Sequence, residues 1–182
     1  QGLFALSRPI NLGGGGGVAG TGVASVSFQQ NDTIFTVNSP ITASGTGFKT
    51  FVIGTGNGNN GDREAVVFNS SIPNVSDGSP LSLTVNFATQ SGAGSYVSLN
   101  AGGTFTGPIT LVRGNANPGY LTIGGVFHNS NAGNANTVGS GQLDSGNYSG
   151  AISLDTLTTL NYLSSANQTL SGVISGPGAL TK

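Results

Sequence analysis

The sequence predicts an all-β protein of many short strands, organised as a single domain over residues 1–182, and three observations carry that expectation. Gly accounts for 32 residues and charged side chains for only 6%, so the chain is rich in turn-forming positions and poor in the surface charge typical of a globular enzyme. The apolar residues are Val, Ile, Leu and Phe in short runs bounded by Gly, Asn, Ser and Pro, which is the pattern of strands joined by tight turns. No stretch of helical length keeps an apolar face without a Gly or Asn breaking it, so almost no helix is expected. Disordered chains combine low hydrophobicity with high net charge; here the net charge is -1 and 36% of residues are hydrophobic.

Taken in chain order, "PINL" at 9–12 is the first clear strand signal, because Ile10 and Leu12 share one face and Asn11 points to the other. The same order of small residue, Ile, polar residue and Leu returns in "PITL" at 108–111 and "AISL" at 151–154. Between them lie "TFVIG" 50–54, "EAVVF" 64–68, "LSLTVNF" 81–87, "SYVSLN" 95–100, "GYLTIGG" 119–125 and "TLNYL" 159–163. A longer echo joins "TVNSPITASGTGFKT" at 36–50 to "TLSGVISGPGALTK" at 169–182: each passes through an Ile-containing strand to a Gly-x-Gly corner, an apolar residue and Lys. "GTGNGNNGDRE" and "HNSNAGNANTVGSGQ" read as loops to one side. Strands this short, with turns this frequent, suit an antiparallel β-sandwich or a β-solenoid. Asn57-Gly58 and Asn60-Gly61 are hairpin dipeptides that keep the sandwich open.

The segment "LSGVISGPGALTK", 170–182, resembles the signature of the autotransporter-associated β-strand repeat, and "RPINLGGGGG" at 8–17 and "LNAGGTFTGPITLVRG" at 99–114 look like the strands that surround it. The resemblance covers about half the chain, closely over 169–182 and loosely over 55–95. It implies a right-handed parallel β-helix, exported and displayed at a bacterial cell surface or outside the cell, and it brings no catalytic motif. In such a fold Phe35, Phe51, Phe68, Phe87 and Phe105 would point inward, and Asn, Ser and Thr would form ladders at the corners.

The chemistry classes narrow quickly. Arg8, Lys49, Arg63, Arg113 and Lys182 are scattered, so no basic patch could neutralise successive phosphates, and nucleic acid is not an expected partner. No apolar run is long enough to span a membrane as a helix. With no Cys there is no disulfide or thiolate metal site. His128 is a lone histidine, expected at the surface, and no cofactor is implied. Asp62 and Glu64 share a strand face and are the only paired carboxylates, the minimum for polysaccharide cleavage; a solvated loop explains them equally, and no enzyme is expected. Asp32, Asp77, Asp144 and Asp155 are isolated. The "NGNNGD" stretch at 57–62 is oxygen-rich but lacks the spacing and terminal Glu of a calcium loop. Five Asn-x-Ser/Thr triplets, at Asn31, Asn69, Asn74, Asn147 and Asn167, are ordinary in a chain of this composition. Gly13 to Gly17 precede no Lys, so they are no phosphate loop. Tyr96, Tyr120, Tyr148 and Tyr162 would form a sugar-stacking strip only if they fell on one face.

The expected function is therefore structural: an exported β-solenoid that builds a surface layer, stalk or fibre, with a glycan-binding module or polysaccharide-degrading enzyme as alternatives. Solenoid ends expose unpaired backbone groups unless charge, proline or a covering loop blocks them. Lys182 is the one charged gatekeeper at 169–182, and "GLFALS" at 2–7 carries none. Head-to-tail self-association is expected through Leu3, Phe4, Leu6, Ile10 and Leu12 at one end and Leu170, Val173, Ile174 and Leu180 at the other, though a fragment boundary would leave the same open ends.

Overall fold

The computed structural model describes residues 3–13, 22–28, 34–55, 64–87, 94–114, 116–130 and 133–182. The described residues contain no α-helix, and a single short 3-10 turn at Asp144–Gly146. Strand period sets the local structure. In Lys49–Thr55, buried and half-buried residues alternate, so Phe51 and Ile53 face in while Thr50 and Val52 face out.

Two long sheets dominate. The first has seven strands, Leu3–Leu6, Ile34–Val37, Glu64–Phe68, Ser95–Leu99, Gly119–Ile123, Thr158–Tyr162 and Ala179–Thr181, and their order in space is their order in the chain. The second has six, Gly22–Phe28, Lys49–Thr55, Leu81–Phe87, Ile109–Arg113, Ile152–Leu154 and Ile174–Ser175, again in chain order. Every neighbouring pair in both sheets is parallel. The chain alternates between the sheets, adding one strand to each per pass. Shorter parallel pairs lie between them: Ile10–Asn11 with Ile41–Thr42, Gly102–Gly103 with Gln142–Leu143, and Asn147–Tyr148 with Thr169–Leu170. This arrangement is compatible with a β-solenoid. It excludes the antiparallel sandwich, because the one antiparallel pair among the described strands lies outside both main sheets.

The core fills the space between the sheets. Phe51, Phe68, Phe87 and Phe105 are buried in it as expected, and Phe35 packs against it partly exposed. Phe68 meets Phe51 and Phe28 edge-on, with ring centroids 6.3 and 6.0 Å apart, an arrangement the ring quadrupoles favour. Tyr148 is fully buried, and its hydroxyl donates to the Gly107 carbonyl. Burial raises its pKa above the ordinary tyrosine value, with the Asp144 charge adding to the effect.

Side-chain ladders close the corners. Asn100 Nδ2 donates to Asn69 Oδ1 at 2.9 Å, and Asn69 Nδ2 donates to Asn38 Oδ1 at 2.8 Å, each step spanning 31 residues. Ser44 joins Asn11, and Thr50 joins Ser82, in the same manner. Asp77 accepts from Gly47 N and from Ser79 N and Oγ, while Asp155 accepts from Arg113 N and Thr156 N.

These backbone donors hold both carboxyls below their ordinary pKa of 3.8; the leading cause is the Ser79 N–H for Asp77 and the Arg113 N–H for Asp155. A carboxyl depressed in the folded state contributes stability that is complete above its unfolded pKa and is lost as pH falls through the folded value. The urea midpoint is therefore expected to be flat down to about pH 5 and to fall below about pH 4. Asp77→Asn with Asp155→Asn should flatten that fall, which chemical denaturation at pH 7 and pH 3 would measure.

Two local expectations are corrected, and two sequence echoes prove to differ in place. "HNSNAGNANTVGSGQ" is not a simple loop: Gly125–Ser130 and Gly133–Val138 pair as an antiparallel hairpin. The hairpin packs on the outer face of the first sheet, where Phe127 lies 5.6 and 5.4 Å from the Tyr96 and Tyr120 rings. His128 is consequently 5% exposed rather than at the surface. "PITL" and "AISL" stack in register, Ile109 on Ile152 and Leu111 on Leu154, but "PINL" lies elsewhere, with Ile10 on Ile41. The echo of 36–50 in 169–182 is one of sequence and not of place: Lys49 opens a strand of the second sheet, whereas Lys182 follows a strand of the first.

Candidate functional site

The surface that stands out is the pair of end rungs. At one end Ala179–Thr181, Ile174–Ser175 and Thr169–Leu170 are each the outermost strand of their sheet. Each arises because apolar side chains alternate with Gly, Ser and Thr just long enough to pair with the rung beneath, Leu180 on Leu160 and Ile174 on Ile152. In these outermost described strands Val173 is 73% exposed, Leu180 47% and Ile174 39%. Leu170 turns inward and packs partly buried on the core. A hollow of about 320 Å³ opens here, lined by Tyr162, Gln168, Leu170, Leu180, Thr181 and Lys182. The Lys182 ammonium lies 5.8 Å from the Tyr162 ring centroid, a cation–π contact at its rim.

At the other end Leu3–Leu6, Ile10–Asn11 and Gly22–Phe28 are the outermost described strands. Phe4 is 60% exposed and stacks on Phe35 with ring centroids 5.3 Å apart. Leu6 and Ile10 are half-buried, and Leu3 lies in the edge strand. Leu12 is in the core at 3% exposure and is unavailable to a partner. Val23, on the edge strand of the second sheet, is 67% exposed and was not singled out by sequence; its "GVASVSF" alternation was the available signal.

The remaining sequence candidates do not converge. Asp62, the 57–62 stretch, both Asn-Gly dipeptides, Asp32, Asn31 and Gly14 to Gly17 lie outside the described residues, and Glu64 opens the strand Glu64–Phe68. Among the described residues no three His, Cys, Asp or Glu side chains gather as a metal site, and no helix is long and apolar enough to cross a membrane. The tyrosines form no common strip. Tyr96 and Tyr120 stack at 5.1 Å beneath Phe127, whereas Tyr148 and Tyr162 belong to the core. Asn69 and Asn74 are engaged in hydrogen bonds between rungs, while Asn147 and Asn167 are exposed.

Comparison of the chain with protein-family models, characterised proteins and solved structures finds no match in any of the three.

Proposed function

We propose that the chain forms a right-handed parallel β-helix and serves as an exported structural element of a bacterial surface layer, stalk or fibre, extended head to tail by strand addition. The observation that carries this reading is that, among the described strands, the outermost members of two wholly parallel sheets bear exposed apolar side chains. Parallel crossover connections are right-handed by the twist of their strands, which supports the handedness. A parallel edge presents alternating N–H and C=O groups in the spacing a further parallel strand needs. Contact between unlike ends does not close on itself and propagates as a filament. The reading assigns the chain no bond-breaking chemistry; paucity of charge and inert hydroxyl and amide ladders suit a scaffold.

Charge on an edge blocks strand addition. The chain is expected to sediment as a concentration-dependent series of oligomers, and Ile174→Asp with Leu180→Asp to sediment as a monomer of unchanged circular dichroism. A wild-type chain that stays monomeric at millimolar concentration overturns the proposal.

A further inference from the structure

Away from both ends an open groove of about 380 Å³ lies where the strands Gly102–Gly103 and Gln142–Leu143 run side by side. Its side chains are the hydroxyls of Ser71, Thr104, Ser140 and Ser145 and the carboxamides of Asn100 and Gln142, with no charged group among them. We propose that this groove is a binding site for a neutral, hydroxyl-rich ligand, a short saccharide. The proposal is independent of the structural reading above, since it uses neither end of the molecule.

Three features point the same way. Hydroxyls and carboxamides each both donate and accept hydrogen bonds, as sugar hydroxyls do, and a wall without charge gives an anion or cation no counter-charge to offset its lost hydration. The wall is too polar to suit an apolar ligand.

Asn100 sits at the head of the asparagine ladder. Its Nδ2 donates to Asn69, which donates to Asn38, so the amide dipoles align along the chain. Aligned hydrogen bonds polarise one another, and the ladder's first carboxamide, Asn100, is the member that lines the groove.

The rim is also strained. Asp144 and Ser145 are consecutive non-glycine residues in the left-handed region, with φ of 44° and 51°, followed by Gly146 at 93°. Such conformations persist only where the surrounding structure over-determines them, and they gather at active sites and ligand clamps. Here the strain places Ser145 on the groove. Because none of the described lining residues is aromatic, no stacking is expected, and affinity is expected on the order of 1 mM.

The test is an NMR titration of the full chain with cellobiose, maltose and N,N′-diacetylchitobiose, each against galacturonate and glucosamine as charged controls. The expected result is a saturable shift of the Gly103, Thr104, Gly141 and Ser145 amides with at least one neutral disaccharide, and several-fold weaker effects from both charged sugars. Ser145→Gly relieves the strained backbone and removes the hydroxyl, and Ser140→Glu adds a charge at an exposed position. Each should weaken binding several-fold while the remaining amide spectrum stays in place. Absence of saturable shifts with all three disaccharides, shifts centred elsewhere, or unchanged affinity in both variants overturns the assignment.

Discussion

Phe68→Ala is expected to destabilise the fold by about 3–5 kcal/mol, the range for deleting a fully buried aromatic side chain. Phe68 has no exposed surface, belongs to the core cluster, and stands between Val37 and Leu99 in the first sheet. Its ring also bridges the sheets, meeting Phe51 and Phe28 of the second. Removing it leaves a cavity that the strands carrying Val37, Leu99 and Phe51 cannot readily close, because each of these is paired on both edges. Phe68→Leu, which keeps most of the volume, should cost less than about 1.5 kcal/mol. Urea denaturation followed by far-ultraviolet circular dichroism compares the two, and a loss for Phe68→Ala below about 1 kcal/mol, well under the large-to-small range, would show that the sheets are not held by this core.

Gly102→Ala is the second substitution with a large expected effect, and its cause is backbone and not core. Gly102 has a φ of 73°, and a Cβ there would lie 2.2 Å from the Gln142 carbonyl oxygen and 2.5 Å from its nitrogen. The left-handed conformation alone costs an L-residue about 1–2 kcal/mol. The clash is with backbone, so the strand Gln142–Leu143 must move away and its pairing with Gly102–Gly103 opens. A total loss of about 3 kcal/mol is expected, combining strain with lost pairing. Hydrogen exchange should accelerate at Gly103 and Leu143 while the core strand Leu81–Phe87 stays protected. Uniform acceleration across the chain would mean that the rungs unfold together.

Much of the fold is legible residue by residue. Each apolar run named from the sequence overlaps a strand, because alternation commits one face to burial whatever the neighbouring strand turns out to be; Ile109 and Leu111, or Phe51 and Ile53, needed nothing more. The corner asparagines were legible as a class, since carboxamides stacked on one another satisfy both donor and acceptor. What failed was whatever depended on which segment meets which. In the stretch 125–138 the strand-forming Val126, Phe127, Thr137 and Val138 stand at the two ends of a run of Asn, Ser, Ala and Gly that reads as a loop, and the hairpin is held by docking on Tyr96, Tyr120 and Ser98. His128 went into the interior with it.

The groove was not legible either. Ser71, Asn100, Ser140 and Ser145 are far apart in sequence and unremarkable one at a time, and the strained pair Asp144 and Ser145 carries no glycine signal at those positions. Of the nine residues assigned to the end rungs, Leu12 turned out to be core, because its pass around the molecule is covered by the next at Ile41–Thr42, where Leu12 N donates to the Thr42 carbonyl.

By itself the sequence determined that this chain is all-β, where most of its strands lie, that Phe51, Phe68, Phe87 and Phe105 face inward, and that the chain is poor in charge. Those properties follow from side-chain period and composition, which act within a few residues. The tertiary structure alone decided that the main sheets are parallel, that passes stack 31 residues apart over the asparagine ladder and 20 apart where Thr181 meets Asn161, and that a neutral groove forms beside the ladder. Register is settled by which strand finds a facing partner with its apolar face already turned inward, and that is a property of the assembled sheets.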